Sequence, residues 1–365
     1  MLNAKTKVVV AMSGGVDSSL TAALLVQEGY EVIGVTMQLW TEDVPVDDPN
    51  HRGCCSLSEV EDARRVAQTL GIPHYVMNFR DDFHHLVVEY FIREYTAGRT
   101  PNPCIACNRH IKFERLLTKA AALGADYVAT GHYARVIKDE QSGRVLLCKG
   151  VDATKDQSYV LYHLNQQTLQ KFLFPLGGME KTKTRELARQ FNLVVANKPE
   201  SQEICFIPDD DYKRFLREHA PQSLRPGDIV TQDGQVLGRH EGLPFYTIGQ
   251  RKGLGIAAAH PLYVVEIDAA HNRVVVGPPE AVYASELLAD DLNWIAIDGL
   301  EKPLQVHAKI RYAAHEAPAM VFPEANGMVR VKFEQPQRAI TPGQSVVFYH
   351  GEKVVGGGVI HKACL

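Results

Sequence analysis

At 365 residues, 45% apolar and 22% charged, the chain is long enough for two or three domains with well-filled cores. A net charge of −4 excludes a generally basic nucleic-acid binder but leaves room for local basic patches. No apolar run is long enough to span a bilayer, no signal-peptide core precedes the first strand, and the seven cysteines form no regular framework, so a cytoplasmic protein with reduced thiols is expected.

In chain order, the apolar run Val8-Val9-Val10-Ala11-Met12 reads as a buried strand. Ser13-Gly14-Gly15-Val16-Asp17-Ser18-Ser19 follows, then helical spacing at Leu20, Ala23 and Leu24 that ends at Gly29. Paired glycines let a backbone approach a ligand closely, and Ser or Asp at a helix start leaves amide donors pointing outward. Those amides form an anion cradle reinforced by the helix dipole. The lysine of a GxxxxGK[ST] loop is absent, so the terminal phosphates of a nucleotide are not gripped in that way.

Glu31 to Met37 is a β-branched strand, Ser58 to Leu70 a helix ending at Gly71, and Ile72 to Phe79 a strand with Pro73 at its edge. Helices are expected over Phe83–Tyr95 and Arg109–Leu123, and a strand over Asp126–Thr130 that runs into Gly131-His132. Strands alternating with helices imply a parallel sheet covered on both faces, with ligands beyond the carboxyl ends of its strands. Ser13, Met37 and Gly131 fall at such ends. Cys54 and Cys55 read as bystander thiols.

Gly98 to Asn108 holds two prolines and reads as a stiff extended loop that delivers Cys104 and Cys107 to a helix beginning near Arg109. Thiols there, close to Arg109 and Lys112, are expected to have lowered pKa values. Residues 98–119 carry five Lys/Arg against Glu114 alone, a local surplus of +4 that suits an anionic partner. No second CxxC or His pair completes a zinc site. Cys205, in Ile204-Cys205-Phe206-Ile207, lies outside any strongly periodic segment.

Beyond Pro208 the texture changes. Turn signals around Ile229-Val230 and Val236-Leu237 read as a hairpin, and Gly249 to Gly255 as a flexible basic loop. From Trp294 onward, short alternating runs at Val306–Ile310, Met328–Phe333, Ser345–Tyr349 and Val354–Ile360 suit a small closed β-barrel. Residues 301–365 carry eight Lys/Arg against five Glu, a surplus of +3 that favours phosphate contact.

The stretch Ala11 to Ser19 resembles the PP-loop, SGGxDS, of the ATP pyrophosphatases. With Gly98–Phe113, Ala129–Tyr133, Lys155–Tyr159, Ile204–Ile207, Gly249–Gly255 and Thr341–Tyr349, nearly the whole chain resembles the bacterial tRNA-specific 2-thiouridylases. The resemblance implies an α/β fold: a Rossmann-like PP-loop catalytic domain (1–207), a small connecting domain (208–280) and a tRNA-contacting C-terminal β-barrel (281–365). It implies a cytoplasmic enzyme, monomeric when free and not membrane-bound, that converts the wobble uridine (position 34) of tRNA to 2-thiouridine.

In that chemistry uracil O2 attacks the α-phosphate of ATP, pyrophosphate leaves, and sulfur from a persulfide then displaces AMP. ATP would lie on Ala11, Met12, Ser13, Gly14, Gly15, Val16, Asp17 and Ser18, with Met37 and Gly131 beside the adenosine and Mg²⁺ accompanying the phosphates. Cys205 would carry a persulfide supplied by a desulfurase-fed sulfur carrier, and Cys107 would release the sulfur, forming a Cys107–Cys205 disulfide or freeing sulfide. Asn102, Pro103 and Cys104 would face the extruded base, and His132, Lys155, Asp156, Gln157, Arg311, Tyr312 and Gln344 would contact the RNA.

One departure stands out. Many relatives place Asp three residues before the nucleophile, where it would serve as general base, and this chain has Cys104. Cys104, Cys107 and Cys205 would alternatively hold three irons of a [4Fe–4S] cluster with one iron open for sulfide, as in other tRNA thiolases of the superfamily. Two further readings stay open. A PP-loop amide or amidine synthetase would need no cysteine pair, and a zinc-holding RNA-binding module would release no pyrophosphate.

Overall fold

Val8, Val9 and Val10 are completely buried, as a run that is apolar on both faces requires. They sit in the central strand of a parallel sheet. The computed structural model describes residues 5–40, 57–199, 204–207 and 209–364. Cys54 and Cys55 lie outside the described residues. Two compact units emerge, one drawn from residues 1–87, 104–210 and 352–354, the other from 88–103, 211–351 and 355–365.

The strands of the first unit are β1 (Lys7–Ala11), β2 (Glu31–Gln38), β3 (His74–Asn78), β4 (Tyr127–Ala129), the hairpin β5 (Ala134–Lys138) and β6 (Val145–Lys149), and β7 (Phe172–Leu173). Five of them form a sheet in the order β3-β2-β1-β4-β7, every pairing parallel. Val8 pairs with Val32 on one side and Tyr127 on the other. The chain adds β2 and β3 to one side of β1 and then crosses to place β4 on the other. That reversal opens a crevice at the carboxyl ends of β1 and β4, where ligands of such sheets bind. The helix Val16–Gln27 leaves this crevice with both faces largely buried.

In the second unit, β8 (Gly227–Thr231), β9 (Val236–His240), β10 (Tyr263–Asp268) and β11 (Arg273–Gly277) form a sheet in the order β10-β11-β8-β9. The expected hairpin is β8–β9. Six strands then close a barrel: β12 (Tyr283–Trp294), β13 (Leu304–Lys309), β14 (Ala317–Pro323), β15 (Val329–Arg338), β16 (Ser345–His350) and β17 (Lys353–Cys364). Pairing of β12 with both β15 and β17 closes it, and Leu287, Val321, Val331, Phe348 and Ile360 fill its core. Closure pairs the two edge strands of the six, β12 and β17, with each other.

Two local expectations need correction. The helix expected over Phe83–Tyr95 is three pieces, with a π-helical turn at His84–Val88 between Arg80–Phe83 and Glu89–Thr96. The helix expected from Arg109 starts six residues earlier, at Pro103, and runs through a π-helical stretch, Cys107–Arg115, into Leu116–Ala122. Proline is tolerated in a helix's first turn, where its missing N–H has no partner to lose. Cys104 and Cys107 therefore ride on the helix itself rather than on a loop before it.

Candidate active site

The turn after β1 is built from short, specific contacts. Ser18 Oγ accepts from the Ser13 amide (3.1 Å), lies 3.3 Å from Ser13 Oγ, and donates to the Gly15 carbonyl. Thr36 Oγ1 donates to the Met12 carbonyl (2.9 Å) and meets His74 Nε2 at 2.8 Å, which pins the end of β1 to β2. Gly14 has φ +74°, and a Cβ there would lie 2.3 Å from the Glu59 carbonyl oxygen. Only glycine lets the loop lie this close to the helix Leu57–Leu70. Gly131, just past β4, likewise has no room for a side chain, because a Cβ would sit 2.8 Å from the Asp17 carbonyl carbon and the Ser18 nitrogen.

Charge at the loop comes from residues that sequence reasoning missed. Lys181, at the start of the helix Lys181–Gln190, donates to both Asp17 oxygens at 2.7 Å. Tyr133 OH donates to Asp17 Oδ1 (2.8 Å) and lies 3.0 Å from Thr184 Oγ1. The Lys181 side chain is 10% exposed, so this ammonium stands in a largely desolvated crevice. Lys198 donates to the Gly14 carbonyl (3.1 Å) and to Asp62 (2.8 Å), with Glu59 at 3.8 Å. Burial pushes Glu59 up to about 7; Lys198 opposes the shift and Asp62 adds to it.

The thiol side of the site lies along the Pro103–Ala122 helix. Cys107 is buried, and Cys104 is exposed on the preceding turn. Solvent reaches Cys104, but the protein mass around it pushes its thiol up despite Lys112, contrary to the lowered pKa expected there. Desolvation outweighs one neighbouring ammonium. Phe113, on the same helix, lies 5.8 Å from the His132 ring and 5.9 Å from the His163 ring. His132 Nδ1 meets Thr130 Oγ1 at 2.7 Å, and burial, helped by Lys112, pushes its pKa down to about 3. It is a neutral ring at physiological pH. His163 is pushed down as well, by burial and then Arg109, and neither ring nitrogen has a hydrogen-bond partner among the described residues. Cys205 is half-buried in a tight turn, Ile207 N donating to the Ile204 carbonyl, beside Phe206, which packs on Trp40 and Phe83.

The glycine turn after β1 and the cysteine-bearing helix meet through the consecutive residues Gly131 and His132. The first 200 residues match the family model described as "tRNA methyl transferase HUP domain" (6–209), followed by "tRNA methyl transferase PRC-barrel domain" (213–278) and "Aminomethyltransferase beta-barrel domain" (284–360). Over 358 residues the chain is 61% identical to a tRNA-specific 2-thiouridylase MnmA of Heliobacterium modesticaldum, covering 98% of this chain and 92% of that one. Identity to the proteins of the same name from Symbiobacterium thermophilum and Carboxydothermus hydrogenoformans is 57% and 55%, covering 98% of this chain and 92% and 98% of theirs. The chain belongs to the tRNA-specific 2-thiouridylase family. The domain descriptions speak of methyl transfer, but relatives matched from end to end are named for thiolation.

Several residues that the 2-thiouridylase resemblance assigns to RNA are engaged with protein. Gln157 Oε1 accepts from the Tyr133 amide and Gln157 N donates to the Tyr133 carbonyl, both at 2.9 Å. Asp156 accepts from the amides of Gly150 and Ser158 and from Ser158 Oγ. The Lys155 amide donates to the Asp152 carbonyl. In the second unit, Arg311 Nη1 donates to the carbonyls of Arg338 (3.0 Å) and Ala339 (3.4 Å). Tyr312 is exposed, with Lys309 Nζ 5.6 Å from its ring centre. Asn102 is half-buried, Pro103 is buried, and the Gln344 amide rests on the Thr100 and Pro101 carbonyls.

A three-cysteine cluster site does not fit these placements. Among the described residues no group of three or more His, Cys, Asp or Glu converges to hold a metal. Nor is any described helix long and apolar enough to cross a membrane.

Proposed function

We propose that this enzyme adenylates the C2 oxygen of the wobble uridine of tRNA and then replaces that oxygen with sulfur from a cysteine persulfide. The carrying observation is the juxtaposition at β4: Gly131 packs on Asp17 and Ser18, and the next residue, His132, packs on Phe113 of the cysteine-bearing helix. Nucleotide and thiol chemistry thereby share one compact unit. In this reading residues 1–207 bind ATP and hold the reacting thiols, 208–280 connect, and 281–365 grip tRNA.

ATP phosphates lie on the Ser13–Ser18 turn, with Met37 and Gly131 flanking the adenosine. Lys181 supplies the ammonium that the loop lacks and stabilises negative charge as pyrophosphate departs. Both Asp17 oxygens hold Lys181; Mg²⁺, when bound with the nucleotide, would add further neutralisation of the phosphate charge. Uracil O2 forms a bond to the α-phosphorus and the bond to pyrophosphate breaks. The terminal sulfur of a Cys205 persulfide, delivered by a sulfur-carrier protein, then attacks C2 and AMP leaves with the oxygen. Cys107 attacks the Cys205 sulfur, cleaves the S–S bond and forms the Cys107–Cys205 disulfide, while the freed sulfur stays on the base. Neutral His132 exchanges neutral hydrogen bonds with the edge of the extruded base.

Cys107→Ser and Cys205→Ser test the division of labour. Each is expected to retain tRNA-dependent pyrophosphate release while losing 2-thiouridine formation, read by mass spectrometry of digested tRNA. Full thiolation by either variant would refute the roles given to the two cysteines, and pyrophosphate release on ammonia in place of tRNA would turn the reading toward an amide or amidine synthetase.

A further inference from the structure

We propose that Gln344 is a positioning residue, which acts on the segment leading to Cys107 rather than on RNA. Its Nε2 donates to the carbonyls of Thr100 (2.9 Å) and Pro101 (3.3 Å). Thr100 is held from two further sides, because its amide donates to the Pro342 carbonyl (2.8 Å) and its hydroxyl to Thr247 Oγ1 (3.2 Å). Gly343 has φ +90°, and a Cβ there would lie 3.0 Å from both the nitrogen and the oxygen of Thr100. The barrel loop is thus shaped to admit this backbone and no more. The loop is itself fixed on β17, since Gly343 N donates to the Ile360 carbonyl and Ile360 N to the Gln344 carbonyl. Arg99 adds a tether through its Nε bond to Glu94 (2.8 Å).

The chain then runs Pro101-Asn102-Pro103 into the helix that carries Cys104 and Cys107. Two prolines fix φ at alternate positions, so a register set at Thr100 passes to Pro103 with little slack. A side-chain amide that satisfies two loop carbonyls restricts loop opening, and such a restraint is felt by the thiol three residues beyond Cys104. The entry to the cysteine-bearing helix, at Pro103, would then be held by the barrel loop even with no RNA bound.

The inference rests on the thiolation reading for its kinetic part, but its structural part is tested on free protein. Hydrogen–deuterium exchange and iodoacetamide labelling, followed by peptide mass spectrometry, are compared between wild type and Gln344→Ala without tRNA or ATP. Faster exchange over residues 98–103 and about fivefold faster alkylation of Cys107, with Cys148 unchanged as internal control, are expected. tRNA affinity by filter binding is expected within about twofold and kcat for thiolation lowered about tenfold. Unchanged exchange and labelling, with weaker tRNA binding, would overturn the proposal and make Gln344 an RNA contact. If Gln344→Ala does not fold, Gly343→Ala is read by the same two measurements, its Cβ displacing Thr100. A thiolating Cys107→Ser enzyme would remove the mechanism proposed above and leave the exchange result to stand or fall alone.

Discussion

Replacing Lys181 by Met separates what the Asp17 clamp does for the fold from what it does for ATP. The side chain keeps its length and loses two charge-assisted bonds of 2.7 Å, so Asp17 keeps only its bond from Tyr133 among those described above. Breaking a fully buried pair costs about 3–5 kcal/mol, but Asp17 is 30% exposed and water takes up part of its charge. A loss of about 2 kcal/mol follows, or a fall in Tm of about 4–8 °C for a unit of this size. If the ammonium also meets the departing phosphates, tRNA-dependent pyrophosphate release falls about 10²–10³-fold, the usual effect of removing one preorganised transition-state donor. Asp17→Asn combined with Lys181→Met removes both charges and should restore most of the stability without restoring release. The assays are thermal unfolding and a coupled pyrophosphate assay. Release within about twofold of wild type in Lys181→Met, or full recovery in the double variant, would show that Lys181 only holds Asp17 in place.

Two further outcomes follow from the loop's surroundings. Glu59 has an ordinary carboxylate pKa when unfolded and about 7 when folded, so the folded state holds the extra proton between those values and stability falls as pH rises through this window. The ionised, buried carboxylate costs about 3 kcal/mol above pH 7, with its attraction to Lys198 already included in the shift. Glu59→Gln should therefore stabilise the protein against urea by about 2 kcal/mol at pH 8 and by nothing measurable at pH 5, and the opposite pH trend would refute the assignment. Gly14→Ala forces both a left-handed backbone and an overlap with the Glu59 carbonyl. It should cost at least about 2 kcal/mol in thermal unfolding and abolish pyrophosphate release, and wild-type release would mean that the loop need not lie so close.

Residues 8–38 were legible because local signals agree there: an apolar run, a glycine turn, then helical spacing. The glycine pair was also readable as a close approach, although not which backbone it approaches. Lys181 was not legible. Its partner lies 164 residues away, and a long-range ion pair leaves no periodic trace in either segment. The prolines at 101 and 103 were read as a loop because a helix interior rejects them, but Pro103 occupies the first turn, where that objection lapses. Barrel strands β13, β15, β16 and β17 stood out through alternation. β12 did not, because its pairing shifts register at Asp290–Asn293 and breaks the two-residue period. The cysteine pair was located, but its electrostatics were misjudged: charge is visible in a sequence, and desolvation is not.

The missing loop lysine and the distant Lys181 belong to one physical argument. In the proposed reading, a cradle of amides and a helix dipole supplies only partial charge to a departing pyrophosphate, and the Lys181 side chain would add a full one. A lysine inside the loop would move with it. Lys181 instead enters from the helix Lys181–Gln190, whose Thr184 meets the hydroxyl of the same Tyr133 that bonds Asp17. Tyr133 is in turn clamped by Gln157 at both its amide and its carbonyl. Cation, loop carboxylate and the segment just past His132 are thus held in one hydrogen-bonded assembly. Disturbing Gln157, which the resemblance assigns to tRNA, should therefore reach the phosphate site with no RNA present.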